Sequence, residues 1–109
     1  LVGSEMCIRD SKPGASIAVA RRGGTTASFD VLNKYFCISQ MPIVGSTYWN
    51  ISHGLVAEDA KQDEEGMQTM RNLARNMIWM MRSFAVAKEQ GVPYPDTDAE
   101  TKVSTNFVR

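Results

Sequence analysis

The sequence predicts an α/β fold built on a parallel sheet, and three observations carry that prediction. Ala15–Ala20 (ASIAVA) and Met41–Val44 (MPIV) are short, nearly continuous apolar runs of the kind buried on both faces of a sheet. Between them, Ala27–Cys37 has large apolar residues at helical spacing, and a helix joining two buried strands is the mark of a β-α-β unit. A long amphipathic stretch, Gly66–Gln90, supplies a second helix to cover such a sheet.

Bulk composition bounds the rest. The chain has 109 residues, enough for one small domain. It is 43% hydrophobic and 22% charged, which suits a packed core rather than a disordered chain. Lys+Arg and Asp+Glu are equal at 12 each, and that balance argues against a nucleic-acid binder. No apolar run reaches the length of a membrane span, and no basic stretch precedes an apolar one at the N-terminus. The two cysteines have no framework spacing, so a reducing, cytoplasmic setting is expected.

Residues 1–11 (LVGSEMCIRDS) have no apolar period and no cap. They resemble the conceptual translation of a transposase adapter used in preparing sequencing libraries, whose ATG TGT ATA AGA GAC spells Met6–Asp10. They are expected to be foreign and disordered, and the natural chain to have been cut at Lys12. Setting them aside removes Glu5, Arg9 and Asp10, leaving 11 basic against 10 acidic residues, and leaves Cys37 alone.

Lys12–Pro13–Gly14 turns into the first strand. Arg21–Arg22–Gly23–Gly24 then leaves its carboxyl end, and Thr25 or Thr26 is expected to cap the following helix. Ligands of open α/β sheets sit at those carboxyl ends, so this cationic, glycine-rich turn is a candidate site. On the helix, Phe29, Leu32 and Phe36 form the expected buried face, Asp30 is placed in the first turn, and Cys37 reads as a small buried hydrophobe. After the second strand, Thr47–Tyr48–Trp49–Asn50 sets two aromatics and an amide in a loop expected on the same sheet edge. His53 reads as a loop residue. One histidine and one native cysteine offer no metal-ligand cluster, and the acids at 63–65 read as a helix start rather than a metal or acid–base site.

Ala57–Glu65 is polar and leads into the long helix, with Asp63, Glu64 and Glu65 suited to its N-terminal turn. Met67, Met70, Leu73, Met77, Ile78, Met81 and Phe84 recur at threes and fours. Trp79 and Met80 widen the stripe, so one face can cover the sheet while another meets a second subunit. Gly91 and Pro93 end the helix. Tyr94–Arg109 is a polar tail, with Phe107 expected to anchor it on the protein or on a partner.

Three segments, 12–36 (KPGASIAVARRGGTTASFDVLNKYF), 41–54 (MPIVGSTYWNISHG) and 62–82 (QDEEGMQTMRNLARNMIWMMR), resemble the C-terminal half of flavodoxin-like NAD(P)H-dependent FMN reductases. The order of ARRGGTT, STYWN and DEEGMQTM carries the resemblance. It implies the C-terminal part of a flavodoxin-like three-layer αβα fold with a parallel sheet, comprising the last two strands and last two helices. It also implies an FMN-dependent oxidoreductase that passes electrons from NAD(P)H to a quinone, flavin or similar small-molecule acceptor, working as a homodimer or homotetramer. Carried across, Arg21, Arg22, Gly23, Gly24 and Thr25 border the flavin ring, with Tyr48, Trp49 and Asn50 near the ring or the substrate. The family's phosphate loop after its first strand and its SPVY-type loop after the third have no counterpart here, so the 109 residues alone are expected to bind FMN poorly and to be inactive. A flavodoxin-type electron carrier is the alternative, and near-neutral charge weighs against it.

Overall fold

The computed structural model describes residues 12–95 and 99–105. The expectations for residues 1–11 and for Phe107 lie outside them. Five elements follow in order: β1 (Ala18–Ala20), α1 (Thr25–Ile38), β2 (Ile51–His53), α2 (Ala57–Gln62) and α3 (Glu64–Glu89). The two strands pair in parallel, with Ala18 opposite Ile51, Val19 opposite Ser52 and Ala20 opposite His53. The expected β-α-β unit is therefore present, as a mixed α/β structure on a two-stranded parallel sheet.

Its second strand differs from expectation. Met41–Val44 meets the first strand only through a parallel bridge between Gly14 and Ile43, closed by Gly14 N–H to Pro42 O (2.8 Å) and Val44 N–H to Gly14 O (2.9 Å). The regular ladder resumes at Ile51, after the Ala18 N–H has bonded Asn50 O at 3.0 Å. Between these two anchor points, Gly14–Ala18 takes four steps and Ile43–Ile51 takes eight. The surplus forms an excursion over residues 45–50. Ala15–Ile17 runs beside it without a ladder partner, so β1 is shorter than its apolar run.

Alternation along β1 divides the helices between two faces. Ser16 and Ala18 point to α1, where Ser16 Oγ donates to Asn33 Oδ1 at 2.6 Å. Val19 and its partner Ser52 point to the opposite face, where Ser52 Oγ donates to Asp63 Oδ2 at 3.0 Å at the start of α3. Gly66 lets α3 approach this closely: a Cβ there would lie 2.5 Å from Asp63 Oδ2 and 2.8 Å from Ser52 Oγ. The layers are thus helix, sheet, helix.

Two strands cover little of either helix. Among the described residues, Ala18, Phe29, Val44 and Leu73 are the buried apolar ones. Fully burying side chains such as Phe29 or Leu73 contributes about 1.5–3 kcal/mol each. Phe36 packs against Gly14, whereas Leu32 and Cys37 are exposed, contrary to expectation. Phe36 takes the inward position of that last turn, and Leu32 finds no third strand to cover it. On α3 the apolar stripe is buried at Leu73, while Ile78 and Met81, beyond the reach of three-residue β2, are exposed. On β1 itself, Ile17 and Val19 are half exposed, at 51% and 57%.

The helix ends follow local chemistry. Asp63 caps α3 by accepting from Gly66 N–H at 3.0 Å, with Glu64 and Glu65 in the first turn as expected. Gly91 N–H to Lys88 O and Val92 N–H to Ala87 O close its far end. Tyr94 then docks on the body, with its hydroxyl on Gln40 O at 3.1 Å and its ring edge-on to Phe84. No helix among the described residues is long and apolar enough to cross a membrane.

Candidate functional site at the sheet edge

Arg21–Gly24 leaves β1 at the carboxyl edge of the parallel pair, as the sequence predicts. Neither threonine caps α1. Gly24 occupies the cap position at φ 88°, a left-handed conformation that favours glycine, and Thr25 is the first helical residue and buried. Helix α1 has no side-chain cap and no acid in its first turn; Asp30 falls one turn later than expected. Its first N–H groups, the positive end of the helix dipole, are therefore left to solvent or a ligand. Arg21, Arg22, Gly23 and Gly24 are all exposed, and a Cβ on either glycine would meet nothing within 4 Å, so the backbone is open to close approach. Among the described residues, the one ion pair is His53 with Asp63, and it leaves both arginines unengaged.

Tyr48, Trp49 and Asn50 do not share that edge. Because Asn50 O accepts from Ala18 N–H, this loop lies beside the beginning of β1, below the arginine turn. The extra residues between the two pairing points displace it. Three bonds strap it to α3: Ser46 Oγ to Thr69 O (2.7 Å), Asn76 Nδ2 to Gly45 O (2.9 Å) and Asn72 Nδ2 to Thr47 Oγ1 (3.2 Å). On the other side Trp49 stands 6.1 Å from the Phe29 ring on α1 and 6.3 Å from the Tyr48 ring. Phe29 is one turn, roughly 6 Å, along α1 from Thr25, so the aromatic cluster approaches the helix start from below. A cavity of about 350 Å³ opens here, lined by Phe29 and residues 43–50. Asn50 lies in its wall, 1% exposed, with neither Nδ2 nor Oδ1 hydrogen-bonded. Buried amides without partners are uncommon and costly, which marks this one as a candidate ligand contact.

The residues that do join Arg21 and Arg22 at the carboxyl edge are His53, Gly54, Leu55 and Val56. Gly54 N–H bonds Ala20 O at 3.2 Å, and Leu55 and Val56 are exposed. In the sequence this apolar pair is marked only by its isolation in a polar stretch. His53, expected in a loop, ends β2, and its Nδ1 is 3.9 Å from Asp63 Oδ2. Asp63 also accepts from His53 N–H at 2.8 Å. The bond from Gly66 N–H, then that from His53 N–H, hold its carboxyl below the usual pKa of 3.8, aided by Ser52 and opposed by partial burial. This cluster joins β2 to α3. Among the described residues, no three His, Cys, Asp or Glu converge as metal ligands. No protein-family profile, curated protein or solved structure matches this chain.

Proposed function

We propose that the chain forms the ring-side edge of an FMN-dependent oxidoreductase that takes electrons from NAD(P)H. The observation that carries this reading is the uncapped start of α1, opened by Gly24 just after two arginines that make no ion pair among the described residues, at the carboxyl edge of a parallel β-α-β unit. Fixed N–H donors and cations suit an electron-rich ring edge, and the bare glycines admit a flat group. FMN would supply the redox chemistry when bound, and the protein its placement and electrostatics. Arg21 or Arg22 would face the pyrimidine carbonyls, and Trp49 and Asn50 would meet the far side of the same ligand or its electron acceptor.

Separate titrations of FMN and of lumiflavin, the same ring without the phosphate, test this through flavin fluorescence. If the turn holds the ring, both bind weakly and within about threefold of each other. Arg21→Ala with Arg22→Ala then weakens both about tenfold. FMN binding that lumiflavin does not reproduce would assign the turn to the phosphate instead. If neither binds and no longer protein carrying this sequence oxidises NAD(P)H, the flavin reading is lost.

A further inference from the structure

We propose that the outward face of α3 is a self-complementary interface, seating α3 of a second copy of this chain antiparallel. The inference is independent of the flavin reading. At 3.6 residues per turn, Trp79 and Val86 lie about 120° and 140° around α3 from buried Leu73, so nothing packed on the β2 side can cover them. Trp79 is 70% exposed, and Ile78 and Val86 about half. Together with Arg75, Arg82 and Ser83 they line a shallow groove made by α3 and its C-cap residue Gln90. A tryptophan displayed in an arginine-flanked groove has the composition of an interface centre.

The order of charges selects the occupant. Arg71 and Glu89 are 18 residues apart, five whole turns, so they stand in line on one flank at opposite ends of the groove. A twofold axis perpendicular to the helices sets equal flanks together and reverses direction. With that axis beside Met80 and Met81, Arg71 of one copy meets Glu89 of the other at both ends. Trp79 comes level with Arg82 of the second copy, whose guanidinium can lie on the indole, and this pair also occurs twice. Val86 meets the methylene stem of Arg75, whose guanidinium is already bonded to Asn72 Oδ1 at 2.9 Å. Every charge on the face thereby gains a place. A generic polyanion would leave Glu89 opposed, and the whole chain carries no net charge to attract one.

Sedimentation of the 109-residue chain at low salt tests this, with circular dichroism confirming that each variant keeps its helices. A monomer–dimer equilibrium is expected, with Kd on the order of 10 μM. Arg71→Glu and Glu89→Arg should each weaken it about tenfold, because each places like charges together twice. The two combined should return it to within about threefold of the original. Trp79→Ala should weaken it at least thirtyfold, roughly the effect of losing a central aromatic from both sides. A chain that stays monomeric, association indifferent to the single charge reversals, or assembly that survives Trp79→Ala would each overturn the proposal.

Discussion

Among the described side chains, Asp63 accepts the most hydrogen bonds. Its carboxylate receives Gly66 N–H, His53 N–H and Ser52 Oγ, closing the cap of α3 and the end of β2 in one contact. Asp63→Asn should lower unfolding stability by about 1–2 kcal/mol at pH 7 in urea. Because the folded carboxyl titrates below its unfolded value of 3.8, its contribution is present above that pH and is lost as the pH falls through the folded pKa. The gap between wild type and variant should therefore close in acid, and a gap constant from pH 7 to pH 3 would show that the charge is not what matters. Gly66→Ala should cost about 1–3 kcal/mol, since its Cβ would press on that carboxylate and on Ser52. Asn50 works in the opposite sense. With both amide atoms buried and unpartnered, Asn50→Leu should hold or raise stability by up to about 1 kcal/mol in the same assay, and a large loss would expose a partner not yet identified.

Among the elements, the strand–glycine turn–helix was legible because it is written locally: an apolar run, a pair of glycines, then apolar residues at threes and fours. The same holds for α3, whose acids at 63–65 and Gly91 fix its ends. The second strand was not legible. Ile51–Ser52–His53 is short and half polar, and Ser52 is buried only because Asp63, eleven residues on, accepts its hydroxyl. That pairing is non-local and has no period to betray it. For the same reason the local pattern puts Tyr48–Asn50 at the carboxyl edge rather than beside the start of β1, and Asn72 and Asn76 give no sign that they tie down loop residues 25 and 31 positions away. Asn76→Ala should cost about 1 kcal/mol and speed hydrogen exchange across residues 45–47, leaving β1 and β2 protected. At the other edge, Gly24→Ala should cost about 1 kcal/mol through its positive φ alone.

At the scale of the whole molecule, the sheet is narrower than the helices it supports. Ile17 and Val19 turn an apolar surface outward beside an unpaired strand edge, a template for uncontrolled pairing. Val19→Lys should leave unfolding stability within about 0.5 kcal/mol while suppressing light scattering at high concentration. If scattering is unchanged, the sticky surface lies elsewhere.

The unequal spacing of the two pairing points has a consequence for how such a chain tolerates change. The pairs Gly14–Ile43 and Ala18–Ile51 act as two rivets through parallel plates, with slack in only one plate between them. Residues can enter or leave at the tip of that slack, around Tyr48 and Trp49, without sliding either rivet. The same sheet alignment can therefore carry loops of different reach, and the cavity beneath them can be resized while the arginine turn above stays where it is.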